Sequence, residues 1–223
     1  EWVDSQVALI QVALWDRLKA DVLDGINPHR TDVVLAADAS VSGDCTALTV
    51  IGWQHGSVIE YETFVWEPPK GGRLDYGETI EPEIRRCFDR WRVIGVAYDP
   101  YQLHDMMTRL KKEYAPYDDD ADTRDKFFYA FPQGGERLEA DTQLVSRIRQ
   151  GDLLHSGNDT VRQHVQNADG KASGDKAVRI VKREPSTPVD AIVAVSMGAK
   201  RMRDLMETQT ESSPMRRAKP KFN

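Results

Sequence analysis

Apolar residues recur at helical spacing at the start of the chain. The positions concerned are three or four residues apart and comprise Val3, Val7, Ile10, Leu14, Leu18 and Val22. This spacing is typical of one face of an amphipathic helix. The pattern therefore predicts a helix from Trp2 to about Gly25, where the glycine and the following Asn27-Pro28 end it.

Three strand-like segments follow. The segment Val33–Ala39 is almost wholly apolar, which is typical of a central strand buried on both faces. The segments Thr46–Trp53 and Val58–Trp66 are rich in β-branched and aromatic residues, and four residues that favour a turn separate them. Together they predict an antiparallel hairpin.

Helical and strand patterns then alternate along the rest of the chain. Helices are predicted at 79–91, 101–114, 136–150 and 188–206, and strands at 93–98, 127–131 and 177–181. A strand, a hairpin, alternating helices and strands and a closing helix indicate an α/β fold with a mixed sheet. We expect the first strand to be central, with the strand at 93–98 beside it.

Composition limits the class of protein. The chain has 223 residues, of which 40% are hydrophobic and 30% charged, and no apolar run approaches the roughly 18 residues of a membrane span. No basic-then-apolar leader is present. Two cysteines, Cys45 and Cys87, cannot make a disulfide framework or a four-ligand zinc site. These features favour a reduced, cytosolic environment. The net charge of −6 argues against DNA binding over the whole surface but allows a local basic strip.

Two aspartates end the two most apolar strands. Asp38 ends the first, where an unpaired buried carboxylate would cost several kcal/mol without a compensating cation. It is also a residue that often forms turns. Asp99 ends the strand at 93–98, and its other interpretation is a helix N-cap with Pro100 at the first helical position.

A third aspartate, Asp190, begins the closing helix, where Thr187 and Asp190 also fit a capping box. Ligands of open α/β sheets bind at the carboxyl edge of the strands. Three carboxylates meeting there would repel one another unless a divalent cation neutralised them, and Mg²⁺ or Mn²⁺ prefers such oxygen ligands. Two ions about 4 Å apart would suit phosphodiester hydrolysis. Asp44 is either a fourth acid or a turn residue.

Basic residues precede Asp190. Lys182, Arg183 and Arg179 lie on or next to the strand predicted at 177–181, so this group can meet phosphates. A solvated strand face is the alternative. The five histidines show no paired metal spacing, which favours surface or core positions for His104, His155 and His164.

These segments resemble a known family, the C-terminal nuclease domain of the large terminase subunit of tailed bacteriophages. The resemblance lies in LAADASVSGDCTALTVIG, in VIGVAYDPYQ, in the Gln133-Gly134 turn, in GDLLHSGNDTVRQHVQNA and in KREPSTPVDAIVAVSMGAKR. It covers about 33–203. It implies a ribonuclease-H-like α/β fold: a mixed β-sheet with an antiparallel hairpin, flanked by helices on both faces.

The resemblance also implies an activity and a site. The family cuts double-stranded viral DNA during genome packaging, in the cytoplasm of the infected bacterial host. Asp38, Asp99 and Asp190 would hold two divalent metal ions, Mg²⁺ or Mn²⁺, and Asp44 would assist. The partners implied are double-stranded DNA, an ATPase motor domain, the portal and the small terminase subunit, with no membrane.

The chain departs from the family in one respect, because it contains no GxxxxGK[ST] phosphate loop. We therefore expect three parts. Residues 1–27 form a helical junction to an absent upstream ATPase domain, 28–206 form the nuclease domain, and 207–223 form a basic, disordered tail.

Two other functions stay open at this stage. An ATP-binding domain of the actin and sugar-kinase type shares this sheet, and Asp38, Gly43 and Thr46 would then line its phosphate turn. A catalytically silent scaffold of a packaging complex would bind no metal and cleave nothing.

Overall fold

The computed structural model describes residues 9–39, 45–115, 121–173 and 176–212, the last four of these without their side chains. The strands are β1 Asp32–Ala39, β2 Thr46–Gln54, β3 Ser57–Trp66, β4 Arg92–Tyr98, β5 Phe128–Ala130, β6 Leu153–His155, β7 Ala168–Ser173 and β8 Ala177–Lys182. The helices are α1 Val12–Asp16, α2 Ile80–Arg90, α3 Pro100–Tyr114, α4 Ala121–Phe127, α5 Gly135–Gln150, α6 Asp159–Asn167 and α7 Asp190–Ser212. A short 3-10 turn at Pro28–Arg30 precedes β1.

The main sheet has the strand order β5-β4-β1-β2-β3-β6 within the described residues. β1, β2 and β3 are antiparallel neighbours, whereas β4 and β5 run parallel to β1, and β6 runs parallel to β3. The apolar strand β1 is therefore central, with β4 beside it. The predicted mixed α/β sheet and its antiparallel hairpin are confirmed.

Helices cover both faces of this sheet, and alternation along β1 separates the two cores. Val33, Leu35 and Ala37 belong to a core that includes residues of α2 and α3. Val34 packs in the other core, with residues of α5, α6 and α7. Ala36 is on the same face as Val34, next to residues of α5 and α7. Because successive side chains of a strand point to opposite faces, Asp38 faces α5 and α7.

The closing helix α7 lies close against the sheet. Ala191, Ile192, Ala194 and Val195 of its first turns are completely buried. A Cβ atom added at Gly198 would lie 2.7 Å from Cγ1 of Ile51 and 3.0 Å from Cβ of Ala36, closer than packed carbon atoms allow. The glycine is therefore what lets the helix axis approach β1 and β2 so closely.

The N-terminal helix prediction is wrong over the part of the chain that is described. Only Val12–Asp16 is helical, and by Lys19 the backbone forms a parallel bridge with His155 of β6. The Trp15 ring stacks on the His155 ring at a centroid distance of 4.1 Å, and the Trp15 carbonyl oxygen is 2.8 Å from His155 Nε2. Tertiary pairing thus overrides the local helical period.

Several elements were not predicted. These are α4, β6, α6 and β7. β7 and β8 form an antiparallel hairpin of their own, separate from the main sheet. α7 continues to Ser212, past its predicted end at residue 206, so part of the predicted tail is helical. No helix in the described ranges is long and apolar enough to cross a membrane.

Candidate active site

The first two aspartates of the site lie side by side at one edge of the sheet. In the parallel pairing of β1 with β4, Ala37 is opposite Tyr98, so the next step of the register places Asp38 opposite Asp99. The Asp99 amide donates to the Ala37 carbonyl oxygen at 3.0 Å, which continues the pairing by one residue. Two parallel strands that end together therefore bring both carboxyl groups to the same edge.

Asp99 also caps helix α3. Its Oδ1 accepts a hydrogen bond from the Tyr101 amide at 2.9 Å, and Pro100 is the first helical residue. The interpretation of Asp99 as an N-cap is therefore confirmed. It does not exclude a second role, because the side chain is only half-buried and the cap uses one carboxylate oxygen.

Asp190 is the first residue of α7 and is 6% exposed. The capping-box interpretation is wrong, because the Thr187 hydroxyl donates to the Glu184 carbonyl at 2.9 Å and the helix starts only at Asp190. The start of α7 is held by α6 instead. His164 Nδ1 accepts from the Ala191 amide at 3.0 Å, and Asn167 Nδ2 donates to the Pro188 carbonyl at 3.0 Å.

His164 can accept that bond only as a neutral imidazole. It is 2% exposed, and burial lowers its pKa to about 4. The ring is therefore a fixed acceptor at neutral pH. The predictions for the histidines hold in position: His155 and His164 are buried, and His104 lies on the helix surface.

The carboxyl group of Asp38 is buried and its pKa is strongly raised. It is 8% exposed, and it has no hydrogen bond from any described residue. Burial raises the pKa of this carboxyl to about 8, Arg137 opposes that rise, and the charges of Asp190, Asp99 and Asp141 add to it. Asp190 and Asp99 therefore each lie close enough to Asp38 for their charges to raise its pKa.

Asp141 and Arg137 are members of this group that the sequence predictions omitted. Both lie on α5, and Arg137 Nε donates to Asp141 Oδ1 at 2.9 Å. Asp141 is completely buried, and it also accepts from the Ser196 hydroxyl at 2.7 Å and from the Ile180 amide at 2.9 Å. A charged pair thus ties α5 to α7 and to β8, next to Asp38.

A signal for this pair exists in the sequence. The buried residues of α5 follow the helical period and comprise Arg137, Ala140, Asp141, Leu144, Val145 and Ile148. An arginine and an aspartate four positions apart on an otherwise apolar stripe predict a buried ion pair.

The donor set fits a hard divalent cation in its chemistry. Carboxylate oxygens are the ligands that Mg²⁺ and Mn²⁺ prefer, and Asp38 lacks a hydrogen bond from the described residues. In the described parts of the chain, however, no group of three or more His, Cys, Asp or Glu side chains is close enough to hold a metal ion. Carboxylates repel one another at short range, so a tighter approach requires positive charge between them. Asp44 lies outside the described residues.

The predicted phosphate-binding residues lie on or next to the β7–β8 hairpin. Arg179 Nη1 donates to the Gln133 carbonyl at 2.8 Å, ahead of α5. Arg183 is exposed, and its Nη2 donates to the Ala168 carbonyl at 3.2 Å. Lys182 is half-buried at the end of β8. Arg179 and Arg183 therefore also donate hydrogen bonds to backbone carbonyl groups.

Comparison with known proteins gives a family match. The family described as "Terminase large subunit, endonuclease domain" matches residues 65–205. The Gene 13 protein of Mycobacterium phage L5 is 22% identical over 192 residues, which is 80% of this chain and 32% of that protein. The chain thus spans about a third of the length of that relative.

Two solved structures extend the match to the fold. The large terminase of bacteriophage HK97 superposes with a TM-score of 0.64 and 17% identity, over 87% of this chain and 43% of that one. The large terminase (g2p) nuclease domain of bacteriophage SPP1, solved with bound Mn, gives a TM-score of 0.51 and 10% identity, over 81% of this chain and 89% of that one. The fold is that of the ribonuclease-H-like terminase nuclease domains, and the chain belongs to the family of terminase large subunit endonuclease domains.

Proposed function

We propose that this chain is a metal-dependent endonuclease that hydrolyses phosphodiester bonds of double-stranded DNA during packaging of a viral genome. The single observation that carries the proposal is the state of Asp38. It is a buried carboxyl without a hydrogen bond from the described residues, at the sheet edge where Asp99, Asp190 and Asp141 also act on it. The family match and the Mn bound to the SPP1 nuclease domain support the same chemistry.

In this proposal Asp38, Asp99 and Asp190 hold two divalent ions, Mg²⁺ or Mn²⁺, with Asp44 as a fourth acid. Bound ions of this kind activate a water molecule and stabilise the leaving oxygen of a phosphodiester. Asp99 keeps one carboxylate oxygen on the Tyr101 amide, which fixes the orientation of the other. The hydrogen bond from the Ala191 amide to His164 fixes the start of α7 and hence the position of Asp190.

DNA would lie along the β7–β8 hairpin, with Lys182, Arg183 and Arg179 meeting the phosphates. The hairpin is fastened to α5 by hydrogen bonds from the Val178 and Ile180 amides to Thr142 and Asp141. A basic edge attached to the helix that carries Arg137 would therefore present phosphates beside Asp38. Binding of this kind should weaken steeply with salt.

The assembly is also part of the proposal. The chain spans about a third of the L5 relative, so an ATPase motor domain would belong to the same whole protein. The portal and the small terminase subunit would be its partners in the host cytoplasm. An actin-like or sugar-kinase-like ATP site is not favoured by the family match.

A plasmid-nicking assay tests the proposal. In Mn²⁺ or Mg²⁺ the chain should nick supercoiled DNA, and Asp38→Asn or Asp190→Asn should lower the rate by at least about 100-fold, because losing even an outer-shell partner of a metal site costs about 10- to 100-fold. Glu207→Gln is the matched control, since it removes an exposed acid at the far end of the same helix α7.

The result that would overturn the assignment is continued nicking by a folded Asp38→Asn variant. A kinase-like site predicts thermal stabilisation of several degrees by ATP, and a silent scaffold predicts neither Mn²⁺ binding nor nicking.

A further inference from the structure

The guanidinium of Arg137 lies inside the acidic edge rather than on its surface. It is 4% exposed, and it projects from the first turn of α5. Nε is bonded to Asp141, whereas Nη2 is buried and has no hydrogen-bond partner among the described residues. A buried cationic nitrogen without a partner is costly, so its position calls for a functional explanation.

The hydrogen bond to Asp141 fixes the position of the Arg137 guanidinium. Asp141 Oδ1 accepts hydrogen bonds from Arg137 Nε and from the Ser196 hydroxyl, and Oδ2 accepts one from the Ile180 amide. The Asp141 carboxylate therefore accepts hydrogen bonds from three elements of the fold, α5, α7 and β8. The arginine cannot swing toward solvent without breaking this network, and DNA phosphates cannot reach the buried Nη2.

The charge of Arg137 acts on Asp38. Among the groups whose charges influence Asp38, Arg137 has the strongest effect, and it opposes the effects of Asp190, Asp99 and Asp141. Asp141 has the weakest effect of these, so the Arg137–Asp141 pair as a whole presents net positive potential to Asp38.

We propose that Arg137 is a positioning residue that serves as the resident cation of this edge. It offsets part of the repulsion among Asp38, Asp99 and Asp190 in the metal-free protein, and it competes electrostatically with the divalent ions that bind there. The competition follows from like-charge repulsion between a fixed guanidinium and an entering ion. The inference rests on the proposed function in one respect, because it assumes that the acids bind divalent ions.

The test removes both charges of the Arg137–Asp141 pair together. In Arg137→Met/Asp141→Asn both charges disappear, so the buried Asp141 is not left without its cation. Isothermal titration with MnCl₂ should show tighter binding than wild type, by roughly three- to tenfold. In EDTA the same variant should unfold at lower temperature than wild type, because the remaining acids lose their counter-charge.

Two matched variants separate charge from structure. Arg137→Lys keeps the positive charge and should keep a near wild-type Mn²⁺ affinity. Ser196→Ala removes one hydrogen bond from Asp141 but neither charge, so it should lower the melting temperature and leave the affinity unchanged. A merely structural role of Arg137 would instead lower stability in all three variants without moving the Mn²⁺ affinity.

The outcomes are distinguishable from those of the proposed function. Unchanged or weaker Mn²⁺ binding by the double variant overturns the role of Arg137 while leaving the nuclease proposal intact. Tighter binding without any DNA cleavage by wild type supports Arg137 and overturns the nuclease proposal. If wild type binds no Mn²⁺ in the titration, both are overturned.

Discussion

Two buried carboxyl groups of the same sheet differ sharply in how the fold treats them. Glu60 of β3 is completely buried. Its Oε2 accepts from the Ser156 amide at 3.0 Å and the Ser156 hydroxyl at 2.9 Å, and its Oε1 accepts from the Thr63 hydroxyl at 2.7 Å. Asp38 of β1 is almost as buried, but no described residue donates a hydrogen bond to it.

The difference in hydrogen bonding indicates a structural role for Glu60 and a functional role for Asp38. A buried carboxylate that accepts several hydrogen bonds is part of the packing and needs nothing further. A buried acid among other acids, with burial raising its pKa to about 8, is stable only with a proton or a cation. Burial alone would have ranked Glu60 above Asp38 as a candidate, and hydrogen bonding reverses that ranking.

The largest expected effect is the pH dependence that Asp38 imposes on the metal-free protein. The pKa of this group is raised from 3.8 to about 8 on folding, so its contribution is fully present below pH 3.8 and is lost as the pH rises toward 8. The loss should be of the order of a few kcal/mol. Thermal unfolding in EDTA checks it, and Asp38→Asn should flatten the slope in that window.

Excess Mn²⁺ should also oppose this loss of stability, since metal binding strengthens as its carboxylate ligands lose protons. An equally steep decline in Asp38→Asn would show that another group carries the pH dependence.

The next effect has the opposite sign and arises at His164. Burial lowers its pKa from 6.5 to about 4, so the unfolded chain takes up a proton first. Stability is then lost as the pH falls from 6.5 toward 4, by up to about 3 kcal/mol. Urea unfolding between these pH values measures the loss.

A comparison with His29 isolates this effect, because His29 lies on the surface. His164→Gln should reduce the acid-side slope and His29→Gln should leave it intact. A residual slope is expected in His164→Gln, because burial also lowers the pKa of His155. The same slope in both variants would contradict the assignment to His164.

A smaller effect is expected on the Glu60 side of the comparison. Glu60→Gln should lower the free energy of unfolding by about 2 kcal/mol, because the amide nitrogen cannot accept the bonds that the carboxylate accepted. Mn²⁺ affinity in calorimetry should stay at the wild-type value. A change in affinity would show that the two carboxyl groups are coupled.

The smallest change in stability is expected at Asp99. Asn and Asp are equally good N-caps, so Asp99→Asn should leave the melting temperature nearly unchanged while it abolishes nicking. Asp99→Ala should cost about 1 kcal/mol in addition, through loss of the cap. Equal activity of Asp99→Asn and wild type would leave Asp99 with a capping role alone.

Much of the fold could be predicted from hydrophobic patterning. β1, the β2–β3 hairpin, β4 and α5 lie close to their predicted bounds, since each has a clear period or an unbroken apolar run. The N-terminal segment and the two strands β6 and β7 could not be predicted. Their conformation comes from distant partners such as the Trp15–His155 stack, and not from a local pattern.

The residues of the site likewise divide into those that could be predicted from the sequence and those that could not. Asp38 and Asp99 could be found because each directly follows or ends an apolar strand, and strand ends meet at one edge. Asp141 could not be found in this way, since it lies in α5 and not at a strand end; its sequence signal is the Arg137–Asp141 spacing on the apolar stripe of that helix. The burial of Asp190 could not be predicted either, because Thr187 three residues earlier fits the capping-box pattern. In the structure the Thr187 hydroxyl donates to the Glu184 carbonyl instead of capping α7.

The close approach of α7 to the sheet at Gly198 sets the distance between Asp190 and Asp38. Gly198 lies eight residues along α7 from Asp190, which is about 12 Å in a helix. A methyl group there would meet Ile51 and Ala36 and push the helix away from the sheet, carrying Asp190 away from Asp38 with it. The spacing of the charged groups is thus governed at a distance, by a residue that bears no side chain and no charge.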